Sequence, residues 1–411
     1  MSNWTTPSAN THSPLHSRDR LFNSIGHIAR CLRLVPFLEI NSKIILTRIW
    51  KDDDISATTT HFFGQALTGQ GIKNVYQDVM NEADAVYFLK GAHGFKVSDL
   101  LQKLGTFYSE KGLDIEYFLD PLFENTIEAI FIKGPHQVLI IQATNLAIQP
   151  VALGERDQVI SLYDCVDEEQ LTLDGELFSL NISKRTYFNQ CFEALSKAIS
   201  IHDDWEVETR KNMTWSGLNQ QFTELSRHLF GDTKLNKSAE LTHRLLGTLT
   251  PQGPRDTVQS ITQNLEKRLF IKGYPGTGKS SMMKKFANDA LSRGYDVQLV
   301  WCGLDSNSID MVILPELKFC IFDSTEPHVY FPDENRPGDE VFDIAKHCHP
   351  TEVEEKNIQQ IVAKYKATMA VAKQFTKQYA EIERKVREII DAELDVDELD
   401  KRTAHLFSLI K

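Results

Sequence analysis

The chain has 411 residues, enough for two or three domains each with its own core, and its 41% hydrophobic and 25% charged residues match an ordinary folded protein. A formal net charge of −12 argues against a protein whose main task is to hold nucleic acid. No apolar run approaches the roughly 18 residues of a membrane span, and six scattered cysteines form no disulfide framework and fit a reducing cytoplasm.

Residues 1–20 (MSNWTTPSANTHSPLHSRDR) are polar, lack the apolar core of a signal peptide, and are expected to form a disordered tail. From Leu21 the chain turns apolar, with a helical pattern up to the turn at Pro36 and a strand in KIILTRIW that the acidic run at 51–54 would end. Residues 60–162 then correspond to 242–344 at an offset of 182. THFFGQALTGQG (60–71) matches THRLLGTLTPQG (242–253), YFLKGAHGFKVSDL (87–100) matches LFIKGYPGTGKSSM (269–282), and QVLIIQAT (137–144) matches FCIFDSTE (319–326). Order, spacing and hydrophobic pattern persist while identity is low, so two domains of one fold are expected. GDTKLNKSAE (231–240) reads as the linker, giving domains at 21–235 and 236–411.

Each stretch is trailed by helices. Ile358, Ile361, Tyr365, Met369, Ala372, Phe375, Tyr379, Ile382, Val386 and Ile389 recur at steps of three and four, which predicts one long helix with an apolar stripe, followed by a shorter helix near 398–410. Tyr187, Cys191, Leu195 and Ala198, with LNQQFTELSRHLF (218–230), give a looser version in the first stretch. Such a stripe is expected to pack within the chain, with docking of a protein partner or self-association as the alternative.

The chemistry concentrates in RLFIKGYPGTGKSS (268–281). A strand, a glycine-rich turn and a helix opening at Lys279 carry the pattern G-x-x-x-x-G-K-[ST], the Walker A signature of P-loop nucleotide-binding proteins. Gly273, Tyr274, Pro275, Gly276, Thr277, Gly278, Lys279, Ser280 and Ser281 are the expected phosphate-binding residues. Glycines let backbone amides wrap an anion at a helix N-terminus, and Lys279 reaches the terminal phosphates. The Ser280 hydroxyl and Asp323, which closes the apolar strand KFCIFD in the manner of a Walker B acid, are expected to hold Mg²⁺. Glu326 is the first choice for positioning or deprotonating a water, His328 the second, with a plain loop histidine as its alternative. Asp305 is either a ligand-orienting or a turn-capping acid, and Arg336 either folds over phosphate or is a surface charge. His347, Cys348 and His349 are adjacent in sequence and are not expected to share a metal ion. In the first stretch Val97 stands for the lysine, Lys96 for the last loop glycine, and Gln142 closes the strand that Asp323 closes in the second, so this copy is not expected to bind ATP.

With DSNSIDMVILPEL (305–317), FDSTEPHVYFP (322–332) and RPGDEVFD (336–343), residues 60–411 resemble a bacterial family of tandem P-loop ATPase-like proteins, sometimes labelled nucleotide kinases. The resemblance implies an α/β protein of two tandem P-loop NTPase-like domains, each with an open, mainly parallel sheet followed by a helical hairpin. It also implies a first-copy loop and a D-G-T-x-P-H segment that GAHGFKVS (91–98) and QATNLA (142–147) no longer match. The function expected is Mg²⁺-dependent ATP binding with slow hydrolysis in the second domain, acting as a conformational switch. Transfer to a small molecule or nucleotide, or a non-enzymatic nucleotide-binding scaffold, are the alternatives. ATP is preferred to GTP mainly because it is the commoner nucleotide of such sites; the lack of an N-K-x-D guanine motif after the loop adds little.

Overall fold

The computed structural model describes residues 57–142 and 148–410, so the expectations for residues 1–54 and most of QATNLA lie outside the described residues. The first half runs β1 (Thr59–Phe63), β2 (Gln65–Thr68), β3 (Gly71–Asn74), α1 (Tyr76–Glu82), β4 (Ala85–Lys90), α2 (Phe95–Glu110), β5 (Asp114–Leu119), β6 (Ile127–Lys133), β7 (Val138–Gln142) and β8 (Asp157–Ser161). Three helices follow, α3 (Glu168–Asp174), α4 (Glu176–Arg210) and α5 (Trp215–Phe230). The second half runs β9 (Leu241–Leu245), β10 (Gly247–Thr250), β11 (Gly253–Asp256), α6 (Val258–Thr262), β12 (Lys267–Lys272), α7 (Lys279–Ser292), β13 (Val297–Trp301), β14 (Ile309–Leu314), β15 (Phe319–Asp323) and β16 (Asp339–Asp343). It closes with α8 (Glu352–Ala392) and α9 (Val396–Thr403).

Twelve of the strands form one mixed sheet, in the order β16-β12-β15-β14-β13-β9-β1-β5-β6-β7-β4-β8. The strand order outward from the centre is the same on both sides, and β1 meets β9 antiparallel where Phe63 faces Leu245. The pairs β5–β6, β6–β7, β13–β14 and β14–β15 are also antiparallel. This architecture overturns the expectation of two tandem P-loop NTPase-like domains with separate, mainly parallel sheets. The resemblance to the tandem ATPase-like family falls with it, as do the Walker and tandem-repeat descriptions read from the motif and from the offset of 182.

Three physical features explain the single sheet. Separate sheets would leave β1 and β9 as edge strands, and here they meet through the Phe63–Leu245 pair. Arg244 on β9 is fully buried and binds across the junction, with Nε 2.7 Å from Glu116 of β5 and its terminal nitrogens 2.6 and 2.8 Å from the Glu82 carboxylate at the end of α1. One face carries a continuous core in which Phe62, Phe118 and Phe131 of the first half join Phe270, Val300 and Phe322 of the second.

The trailing helices cross over, which is why neither half has its own hairpin. On the opposite face, α5 of the first half covers the second: Leu218 and Phe230 pack with Met282 and Phe286 of α7, and the Phe230 and Phe286 rings lie 5.3 Å apart. Reciprocally, Leu394, Leu399 and Leu406 pack with Val97, Leu101 and Tyr108 of the first half, where the Tyr108 hydroxyl donates to the Leu406 carbonyl at 2.6 Å. The long helices α4 and α8 face each other. Phe188 meets Tyr379, Trp205 meets Tyr365, and Cys191 Sγ lies 3.1 Å from Thr376 Oγ1. The apolar stripe of α8 is thus used against α4. A capping box of Thr351 and Glu354 starts α8.

Candidate functional site

Parallel pairing of β12 with β15 sets Ile271 beside Asp323, so both strands deliver their carboxyl ends to one edge, where open α/β sheets bind ligands. The chain leaves β12 at Lys272, turns through residues 273–278 and enters α7 at Lys279. Two turn residues require glycine. Gly276 has φ +86°, and a Cβ there would lie 2.4 Å from the Glu206 carbonyl oxygen of α4; Gly278 has φ +89° and would meet the Trp215 ring of α5 at 3.0 Å. The crossed-over helices therefore press directly on the loop. Thr277 is buried and its hydroxyl donates to the Tyr274 carbonyl at 2.7 Å, fixing the turn.

Lys279 Nζ lies 2.6 Å from the Gly273 carbonyl and 3.4 Å from Asp323 Oδ2. Asp323 Oδ1 accepts from the Thr325 amide at 3.0 Å and sits 2.5 Å from its hydroxyl. Ser280 Oγ accepts from the Ile309 amide at 3.1 Å, which keeps its own proton and one lone pair available. The N-cap of α7 is Gly278, which has no side chain, and among the described residues no other side chain accepts from the first amides of the helix, which lie at a cavity of about 610 Å³ lined by Lys279, Ser280, Asp305, Asp310, Asp323 and His328 among others. A smaller hollow of about 210 Å³ lies on the loop's other flank, between Gly278, Ser281 and Lys285 on one side and Trp215, Asn219 and Phe222 on the other.

The expected residues Tyr274, Pro275, Gly276, Gly278, Lys279, Ser280, Ser281, Asp323, Glu326 and His328 all line the larger cavity. Glu326 is solvent-facing and pairs with Lys366 of α8 at 2.8 Å. Asp305 caps its own turn, accepting from the Asn307 amide and the Ser308 hydroxyl, and it also accepts from Gln70 of the first half at 3.1 Å. Arg336 is directed elsewhere: its guanidinium donates to the Gln263 and Leu265 carbonyls. His347 Nε2 lies 2.8 Å from Gln221 Oε1, and among the described residues no cluster of three or more His, Cys, Asp or Glu side chains could hold a metal ion by itself.

His328 is buried between two carboxylates, with Nδ1 2.7 Å from Asp256 Oδ2 and Nε2 3.6 Å from Asp310 Oδ2. Burial alone would lower its pKa; the hydrogen bond to Asp256 and the Asp310 charge outweigh this and raise it to about 10. Asp256 also accepts from the Tyr330 hydroxyl at 2.7 Å. At 3.6 Å the His328–Asp310 contact is an ion pair too long for a hydrogen bond, and Asp310 Oδ2 has no hydrogen-bond partner among the described residues.

Sequence reasoning missed Asp310, Asp256, Trp205, Trp215 and Tyr365. A signal existed for Asp310: it is the one acid inside the otherwise apolar strand IDMVIL. None existed for the two tryptophans, which reach the loop from the other half.

The corresponding loop of the first half is closed by the chain itself. Leu89 pairs with Gln142 as Ile271 pairs with Asp323, and Ser98 Oγ accepts from the Ile127 amide as Ser280 accepts from Ile309. However, Asp391 of α8 fills the position in front of α2, accepting from the amides of Phe95 (2.9 Å) and Lys96 (3.3 Å). Lys96 Nζ is turned to the Leu394 carbonyl, Lys90 Nζ to Gln149, and Val97 is buried in the core. A carboxylate thus satisfies the amides that a bound phosphate would otherwise need. In comparisons with known proteins, no family model, no curated protein and no solved structure matches the chain.

Proposed function

We propose that the chain binds ATP with Mg²⁺ at the loop between β12 and α7 and slowly hydrolyses its terminal phosphoanhydride. The observation that carries this reading is the contrast between two equivalent helix starts. The N-terminus of α2 is closed by Asp391, whereas among the described residues no side chain accepts from the first amides of α7, whose start lines a cavity and carries Lys279. Backbone amides, the helix dipole and a lysine together suit a polyphosphate. The hollow walled by Trp215 and Phe222 suits a nucleobase, with Asn219 to meet its edge.

The donor set fits magnesium. Mg²⁺ usually takes one or two protein oxygens and completes its shell with phosphate and water, so the hydroxyl of Ser280 and carboxylate of Asp323 suffice without a dedicated protein cage. When bound, the ion supplies charge neutralisation at the phosphates. Lys279, freed from the Gly273 carbonyl, binds the terminal phosphate oxygens, and Glu326 accepts a proton from water at the cavity mouth. Its exposure to bulk solvent fits slow turnover.

Loop occupancy is linked to the rest of the molecule through α4, whose Glu206 carbonyl rests on Gly276. With one continuous sheet the responding element is this helix and its partner α8, in place of a hinge between two domains. The test is phosphate release with Mg-ATP. Ser280→Ala and Asp323→Asn should each lower the rate by at least about tenfold and raise the Mg²⁺ requirement, and Glu326→Gln should lower the rate while sparing ATP affinity. Equal rates in all three variants would overturn the site.

A further inference from the structure

If the hollow beside Trp215 takes the nucleobase, the larger cavity beyond the loop is left over, and about 610 Å³ is far more than a single water requires. Two residues lining it carry a buried polar atom with no hydrogen-bond partner among the described residues: Asp310, 6% exposed, whose Oδ2 has only the 3.6 Å ion pair with His328, and Trp205, 8% exposed, whose Nε1–H is unmatched. Leaving an acceptor and a donor unpaired costs free energy in each case unless something in the cavity satisfies them.

An aromatic wall connects the two. The rings of Trp205 and Tyr365 lie 6.1 Å apart, with His202 5.8 Å from Tyr365, and Met369 continues the same side. Cys302 lies beyond them close to Asp310, whose charge helps to hold the thiol protonated after burial has already done so. Asp310 itself sits beside the phosphate machinery. The β14–β15 register that pairs Met311 with Phe322 brings Asp310 next to Asp323, and the neighbouring Ile309 amide donates to Ser280. On its other side stands His328, anchored by Asp256.

We propose that this cavity holds a second substrate, a planar heteroaromatic compound bearing a hydroxyl group, and that Asp310 accepts the hydroxyl proton as its oxygen takes the terminal phosphoryl group of ATP. The inference rests on the nucleotide reading above and changes the fate of the phosphoryl group from water to an organic acceptor. The balance is simple. The acceptor oxygen forms a bond to the γ-phosphorus, the bond from that phosphorus to the β–γ bridging oxygen breaks, and ADP leaves with the electron pair. The acceptor proton passes to Asp310 Oδ2 and from there to solvent at the cavity mouth. Trp205 donates its N–H to a ring nitrogen or carbonyl of the acceptor, and Tyr365 stacks against the ring. Asp310 would be a catalytic residue and His328 a positioning residue that fixes the carboxylate.

The experiment measures ADP formation and inorganic phosphate release in parallel on the full chain with Mg-ATP. Adenosine, guanosine, cytidine, thymidine, pyridoxine and thiamine serve as probes, each with a planar ring and a primary hydroxyl. At least one probe should raise ADP formation about tenfold or more over phosphate release and be recovered phosphorylated. Asp310→Asn should cut that transfer by roughly 100-fold while ATP affinity is kept, the usual scale for losing a proton acceptor. Trp205→Phe, which keeps the ring packing, should raise the probe's KM with kcat little changed. Binding and hydrolysis of ATP with all six probes inert, or transfer unaffected by Asp310→Asn, would overturn the proposal. Failure of the wild-type chain to bind ATP would instead sink the nucleotide reading.

Discussion

Arg244→Met tests whether the two halves are one folding unit. The guanidinium is fully buried and joins Glu116 at 2.7 Å to Glu82 at 2.6 and 2.8 Å, all within the central seam. Methionine preserves most of the stem volume and removes the charge. Glu116, with its side chain 6% exposed, keeps Lys133 at 2.5 Å, while Glu82, 18% exposed, can turn to water. Removing one member of a buried ion pair costs about 3–5 kcal/mol. The remaining lysine and the access of Glu82 to water put the expected loss at the lower end, about 3 kcal/mol. Urea unfolding followed by both tryptophan fluorescence and far-ultraviolet circular dichroism should show one shifted transition with coincident midpoints. Burial alone would raise the Glu116 carboxyl, and Arg244 with Lys133 outweighs it and holds it below the ordinary value. A depressed carboxyl adds stability above its unfolded pKa, and that gain is lost as pH falls through the folded one. The deficit of the variant should therefore narrow below about pH 4. A loss under about 1 kcal/mol, or two separate transitions of which only one moves, would refute a seam that couples the halves.

Three further outcomes follow from other contacts. His328, raised to about 10, contributes stability that is fully present below its unfolded pKa of about 6.5 and is lost as pH rises toward 10. Thermal melts should fall across that window, and His328→Gln should flatten the dependence while Asp256, Asp310 and Tyr330 remain. Gly276→Ala combines a left-handed backbone with a Cβ 2.4 Å from a carbonyl oxygen of α4, so a loss of about 2 kcal/mol in urea unfolding is expected, together with weakened ATP binding. Asp391→Ala uncovers the amides of Phe95 and Lys96 and should cost about 1–2 kcal/mol without creating a second ATP site, because Val97 supplies no charge.

What the sequence made legible is what local pattern controls. The 3.6-residue period of Tyr365, Met369, Ala372 and Tyr379 marks α8, and the alternation from strand to glycine turn to helix marks β12, the loop and α7. Most of the cavity-lining residues expected around Lys279 do converge there. The error was architectural. Two stretches of equal pattern read as two domains, because no local signal tells whether an edge strand such as β9 stays unpaired or meets β1, nor which half a trailing helix will cover. Arg244 was the available clue: an arginine between apolar residues in LTHRLLG needs buried carboxylates, and these come from the other half. The same crossing hid Trp205 and Trp215 from the site and Asp391 from the loop that it closes.

The central claim is that one glycine-rich loop is open to nucleotide and its counterpart is closed. Calorimetric titration of the full chain with a non-hydrolysable ATP analogue and Mg²⁺ tests it most directly. The account predicts one binding site per chain, weakened at least about tenfold by Lys279→Ala and unchanged by Lys96→Ala, since Lys279 lines the open cavity whereas Lys96 Nζ is turned to the Leu394 carbonyl. Two sites per chain, or affinity unchanged by Lys279→Ala, would contradict it.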